Sequence, residues 1–202
     1  MARTTIERVS GSTLDRTILD YLKRDGLLTE GHFAYRSGRH SALHLDRDRL
    51  LADPGAASRM GYALAKRFFN DHLHTIASPS IWGAGLAQWV AYFLDPKAKV
   101  VYATPRDGQP TIAPRLESLI AGQRVLLIDN LIMSGATMGR FDELITGLGG
   151  EVIGIGALWN ATEPTIGAEP VFGLLNELYE AFPAASCPLC AAGSGEPVEI
   201  PY

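Results

Sequence analysis

The segment VLLIDNLIMSGATMGR, Val125 to Arg140, gathers residue types that suit a phosphorylated sugar. An apolar run ends in Asp129 and Asn130, and the small residues Ser134, Gly135, Ala136 and Thr137 follow where a helix should begin. A carboxylate beside an amide can hold sugar hydroxyls. A helix opening in such a turn offers unpaired N–H groups and the positive end of its dipole, which suit a phosphate. The hydroxyls of Ser134 and Thr137 add donors. The same pattern also describes an ordinary strand–loop–helix turn with Thr137 as its cap, and residue types alone leave both readings standing. The turn matches neither the Gly-x-x-x-x-Gly-Lys-Ser/Thr phosphate loop nor Gly-x-Gly-x-x-Gly.

Other residues could serve the same ligand. Arg36, Ser37, Gly38 and Arg39 form a cationic Ser-Gly turn within GHFAYRSGRHSALHLDRDRLLADP, Gly31 to Pro54. The planar fork of an arginine suits a phosphate or a carboxylate. Arg106 lies in the polar, Pro-rich stretch ATPRDGQPTIAPRLE, Ala103 to Glu117, where the only other cation is Arg115. Arg106 is equally well read as a solvated loop arginine. Gly83 and Gly85 keep the backbone permissive in SPSIWGAGLAQ, where Trp82 is read as core packing, with stacking on a ring as its other role.

A metal site is not expected from the histidines. His40 and His44 are four apart in a segment that is not helical, with no acidic third ligand, and His72 and His74 sit at the surface end of a helix. Cys187 and Cys190 supply half of a tetrahedral zinc site. Two more ligands would have to come from a histidine or a second subunit, so the plainer reading is a reduced pair pinning a turn. No residue is therefore taken as a metal ligand.

Strands must aim these groups and helices must brace the strands. An apolar stripe at Leu14, Ile18, Leu19 and Leu22 predicts a helix over Leu14 to Lys23, capped by Ser12 or Thr13 and ended by Gly26. Alternating Phe33, Tyr35, Leu43 and Leu45 predict two strands about the Ser-Gly turn. Asp53-Pro54 starts a helix that runs towards Phe69. Strands at Thr75, KVVYAT, RVLLID and EVIGIGALW then alternate with helices over Leu86 to Leu94 and Ala136 to Leu148. The tail after about Phe182 reads as irregular. Strands alternating with helices, some of them apolar throughout, argue for an α/β fold: an open parallel sheet flanked by helices. In such sheets ligands lie beyond the carboxyl ends of the strands, where Asp129 falls.

The 202 residues and 47% apolar content suit one domain with a substantial core. A formal charge of -4 gives no overall basic field, so nucleic acid is not an expected partner. No apolar run approaches the roughly 18 residues of a membrane span. The first residues lack the apolar stretch of a signal peptide, so a cytoplasmic protein is expected.

VLLIDNLIMSGAT resembles the phosphoribosyl-diphosphate motif of type I phosphoribosyltransferases: four apolar residues, two acidic ones, then a Ser/Thr-Gly-Thr-like turn. RSGRHS and its surroundings resemble the amino-terminal segment of the orotate branch, and CPLCAAG the ending of some of its bacterial and archaeal members. The resemblance runs from about Leu14 to Gly193. It implies one phosphoribosyltransferase-like domain over residues 1–202, with a core of about 51–180 and a hood from about 1–50 plus the C-terminal tail. It further implies Mg²⁺, phosphoribosyl diphosphate and a nitrogen base, orotate by default, in a homodimer serving pyrimidine nucleotide synthesis. By position, Asp129 and Asn130 would hold the ribose, Ser134 to Thr137 its phosphate, and Arg36, Arg39 and Arg106 the diphosphate or an anionic acceptor. The pattern departs at Asn130, at a catalytic loop without lysine or histidine, and at the glycine loop around Trp82. The alternative is a catalytically impaired nucleotide-binding regulator, or a paralogue with another acceptor.

Overall fold

The computed structural model describes residues 13–161, 165–175 and 181–201. Helix α1, Thr13–Arg24, buries Ile18 and Leu22. It ends as expected at Gly26, whose φ of +64° lets the N–H groups of Gly26 and Leu27 turn back to the carbonyls of Lys23 and Leu22. The proposed Ser12 cap lies outside the described residues.

Strands β1, Leu28–Tyr35, and β2, Arg39–Leu45, form the hairpin foreseen about the Ser-Gly turn, with a bulge between Glu30 and Phe33. A short helix that the pattern did not show follows: α2, Arg47–Ala52, capped by Asp46, whose carboxylate accepts from the Arg49 N–H at 3.0 Å. Asp53 caps α3, Pro54–Ala65, through the N–H groups of Gly55 and Ala56. A single 3₁₀ turn then carries the chain through Phe68.

The main sheet follows. It contains β3 (Thr75–Ser78), β4 (Lys99–Tyr102), β7 (Arg124–Ile132), β8 (Glu151–Asn160), β9 (Thr165–Ile166) and β10 (Glu169–Gly173). Its order is β4-β3-β7-β8-β10-β9, parallel except for the β10–β9 edge. Helix α4, Ile81–Leu94, packs with α3 on one face, where Leu126 and Ile128 meet Leu64, Leu86 and Val90. Helix α5, Ala136–Gly147, covers the other, where Val125 and Leu127 meet Phe141 and Ile145. A fully buried side chain of this kind contributes about 1.5–3 kcal/mol. The molecule is thus an α/β protein with its sheet held between helices.

Besides α2, and β9 and β10 at the sheet edge, which the sequence reading did not contain, further elements differ from it. Helix α4 starts at Ile81 rather than Leu86, because the Ser80 hydroxyl accepts from the Gly83 N–H and caps it. The segment read only as polar and Pro-rich after Ala103 forms a ribbon, β5 (Thr104–Arg106) with β6 (Gln109–Thr111), joined by an Asp-Gly turn with positive φ at both residues. The tail is also more ordered than expected. It carries β11 (Ala181–Pro183), α6 (Pro188–Ala191) and β12 (Val198–Ile200). Strands β11 and β12 flank the first hairpin in a smaller sheet of order β11-β2-β1-β12.

Candidate functional site

Strand β7 runs past Asp129 to Ile132 instead of stopping at the acidic residue. Asp129 and Asn130, adjacent near its end, have different surroundings. Asn130 shares the parity of Leu126 and Ile128 and enters the layer of α4, where it is fully buried. Its Nδ2 donates to the Trp82 carbonyl at 2.8 Å, while its Oδ1 has no hydrogen-bond partner among the described residues. Asn130 as a ribose ligand is thus corrected: it holds the start of α4 in place.

Asp129 faces a cavity of about 330 Å³ beyond the sheet, lined also by Arg36, Ser37, Ser134, Gly135 and Thr137. Leu131, Ile132, Met133 and Met138 complete the wall. Burial pushes the Asp129 carboxyl up to about 6, against the pull of the Asn130 backbone N–H, 2.8 Å from Oδ1, and of the Arg47 charge. Gly135, with φ of +75°, swings the chain from β7 into α5, and no side chain among the described residues caps that helix. Only the Ser134 hydroxyl approaches, 3.5 Å from the Ala136 N–H. The first-turn amides of α5 are left for an anion at the cavity.

The remaining expected residues are placed differently. Gly38 is the turn glycine of the β1–β2 hairpin, with φ of +74°. Arg39 donates to the Ala181 carbonyl at 2.7 Å and ties β2 to β11. Ala136 is the first residue of α5 and adds no side chain to the cavity lining. Arg106 is exposed on the β5–β6 ribbon, outside that lining. Gly83 and Gly85 belong to α4, not to a loop. A Cβ on Gly83 would overlap the Ser78 hydroxyl and lie 2.9 Å from Asp129 Oδ1 and 3.2 Å from the Ile128 carbonyl. Gly83 thus lets α4 lie against the end of β7, whereas a Cβ on Gly85 meets nothing within 4 Å. Trp82 is not a core residue: it is 57% exposed, with the Arg47 guanidinium 5.6 Å from its ring centroid.

Arg47 was missed by sequence reasoning. Its signal was present in LDRDRLL, an aspartate placed to cap a helix, but nothing local says that this helix lies near Asp129. His32 was missed as well. It meets His40, Cys187 and Cys190, with the four ligand atoms all within 4.8 Å of one another. That juxtaposition supplies the histidines from which the two further ligands of Cys187 and Cys190 would have to come, where the plainer sequence reading was a reduced pair pinning a turn. His32 and His40 are diagonal neighbours on one face of a hairpin whose register the bulge adjusts.

No protein-family model matches the chain. It is 31% identical over 192 residues to the orotate phosphoribosyltransferase of Sulfurimonas denitrificans, covering 86% of this chain and 92% of that protein. It is 29% identical over 178 residues to the orotate phosphoribosyltransferase of Desulforamulus reducens, covering 87% and 91%. Its fold is similar to the crystal structure of orotate phosphoribosyltransferase from Aeropyrum pernix. There the TM-score is 0.58 at 18% identity, over 80% of this chain and 97% of that one.

Proposed function

The chain belongs to the orotate phosphoribosyltransferase family, and on that premise we propose that it transfers ribose 5-phosphate from phosphoribosyl diphosphate to orotate. The carrying observation is the cavity in which Asp129, the uncapped start of α5 and Arg36 converge. In this reading the amides of Gly135 to Thr137 and the hydroxyls of Ser134 and Thr137 bind the 5′-phosphate. Asp129 accepts from the ribose hydroxyls. Arg36 and Ser37, across the cavity, meet the diphosphate or the orotate carboxylate.

The ribose C1–O bond breaks, the electron pair leaves with diphosphate, a ring nitrogen of orotate attacks the cationic sugar from the opposite face, and the proton of that ring N–H passes to the departing diphosphate or to water. Products are diphosphate and the orotate nucleotide. The protein's task is to align the partners and to stabilise the charge that separates. Asp129 would stabilise the cationic sugar and Arg36 the leaving diphosphate. Arg106 would add a second cation if the β5–β6 ribbon folds over the cavity. Mg²⁺ fits this site: the Asp129 carboxylate, raised by desolvation and only partly offset by the Arg47 charge, would hold it. When bound, the ion would polarise the leaving diphosphate. Asn130, buried under α4, would not ligate it.

The proposal extends to a homodimer, supported by the exposed aromatic surface of Tyr62, Phe69 and Tyr92. It extends also to a cytoplasmic location, which suits an enzyme of nucleotide synthesis. Among the described residues no helix is long and apolar enough to cross a membrane. Relatives named as transferases favour catalysis over the nucleotide-sensing alternative.

The test combines protein, Mg²⁺, phosphoribosyl diphosphate and orotate and follows diphosphate release, with orotate omitted or exchanged for other bases in parallel. Orotate-dependent release is expected. Release with another base alone would reassign the acceptor, and tight nucleotide binding without turnover on any base would restore the regulatory reading.

A further inference from the structure

A second constellation lies outside the cavity, and the transfer reaction does not use it. His32 on β1, His40 on β2, and Cys187 and Cys190 about α6 converge from segments separated by about 150 residues. The geometry points to a structural zinc site of Cys₂His₂ composition that clasps the C-terminal tail to the β1–β2 hairpin.

The distances carry the argument. With Zn–S near 2.3 Å and Zn–N near 2.0–2.1 Å, tetrahedral ligands stand about 3.5 Å apart for N and S and about 3.3 Å for two nitrogens. Here His32 Nε2 and His40 Nδ1 are 3.1 Å apart. Cys187 Sγ and Cys190 Sγ stand 3.7 Å and 3.6 Å from His32 Nε2, and Cys190 Sγ is 3.3 Å from His40 Nδ1. These four separations are close to those a zinc ion would set, and all four ligand atoms lie within 4.8 Å of one another.

Hydrogen bonding alone does not account for this packing. His32 Nδ1 lies 3.0 Å from the Gly195 carbonyl and must donate to it, which leaves Nε2 a single lone pair. That lone pair faces three groups at once: an imidazole nitrogen and two sulfurs. A cation at their centre satisfies all of them. The Gly195 contact then has the form of an outer-shell partner, fixing the tautomer and ring orientation of a metal-bound histidine.

Two thiolates and two imidazoles in a tetrahedron select zinc over the hard cations. All four positions are filled by protein, so the site is closed and structural rather than catalytic. Cys187 and His32 are buried and Cys190 is exposed, which gives the ion a route in. Binding discharges two thiol protons and draws its free energy into folding. Strands β11 and β12 have three residues each, so the smaller sheet has little pairing of its own along its edges. The turn between His32 and His40 carries Arg36 and Ser37, which line the cavity. The ion would therefore hold those side chains in position from behind.

The test is metal analysis of the reduced, full-length protein by mass spectrometry, with cobalt(II) replacing zinc as a spectroscopic probe. About one zinc per chain is expected, and the cobalt form should show the thiolate charge-transfer and d–d bands of a tetrahedral S₂N₂ site. Cys190→Ser and His40→Ala should abolish both signals, while His72→Asn, at an exposed position, should keep them. Should the variants fail to fold, chelation of the intact protein provides the second readout: it should lower the thermal midpoint, and zinc but not Mg²⁺ should restore it. Metal below about 0.1 equivalent with no cobalt band would overturn the proposal. Bands that survive both substitutions, or a midpoint indifferent to chelator, would overturn it equally.

Discussion

Replacing Asp129 with asparagine should make the protein more stable and less able to bind its ligand. Burial raises the carboxyl from its ordinary 3.8 to about 6, a rise of about 2 units. At about 1.4 kcal/mol per unit, ionising Asp129 in the folded state costs about 3 kcal/mol. The sign follows from proton uptake. Between pH 4 and 6 the folded protein holds a proton that the unfolded chain has released, so stability falls as pH rises through that window. The cost is absent below the unfolded value and complete above about pH 6. The substituted amide would keep an acceptor for the Asn130 N–H and carry no charge. In urea titrations at pH 7.5 the Asp129→Asn protein should therefore exceed the parent by about 3 kcal/mol. With a slope of about 2 kcal/mol/M, the midpoint should rise by about 1.5 M. At pH 4 the two should nearly coincide. Calorimetry with ribose 5-phosphate should show affinity weakened about 10–100-fold, the loss of charge-assisted hydrogen bonds to hydroxyls. A stability gap unchanged between pH 4 and 7.5 would refute the enclosed-carboxylate argument, and unchanged affinity would refute the ribose contact.

The α4 glycines supply a matched pair. Gly83→Ala must push a methyl group into Ser78 and Asp129 and should cost about 1–3 kcal/mol, whereas Gly85→Ala meets open space and should add about 0.5–1 kcal/mol through helix propensity. Thermal or urea midpoints will distinguish them, and equal losses would place α4 wrongly. Asn130→Asp, which restores the resembling family's second carboxylate, should destabilise rather than repair. The introduced carboxylate, once ionised, would face the Trp82 carbonyl without the Nδ2 donor, and holding it protonated at pH 7 costs about 4 kcal/mol. The loss should grow from pH 4 to pH 7 in urea titrations, and a penalty that does not vary with pH would contradict the buried position.

Local rules carried much of the architecture. Gly26 ended α1, Asp53-Pro54 opened α3, and the apolar RVLLID run formed the central strand with α5 opening after Gly135, because caps, turns and apolar periodicity act within a few residues. The phosphate-type turn and Asp129 were legible for the same reason. Ser80 was available as a cap for α4, yet the two glycines that followed pointed to a loop. The Asp107-Gly108 ribbon had its turn signal, but its flanking prolines obscured it.

Long-range placement was not legible. Asn130 lay one residue beyond the predicted strand, and only the pairing of β7 with β8 through Ile132 decided that it points into the α4 layer instead of the cavity. Trp82 and Arg47 meet because α2 and the start of α4 come together from distant parts of the chain. The Cys187–Cys190 pair showed half a ligand set in sequence, and its histidine partners became visible only once the tail had folded across the first hairpin. Propensity and motif are written in neighbouring residues, so the sequence alone determined the α/β fold and the phosphate-type turn. Which face a side chain joins, and which distant group it meets, depends on strand register and layer packing, and these exist only in the assembled chain.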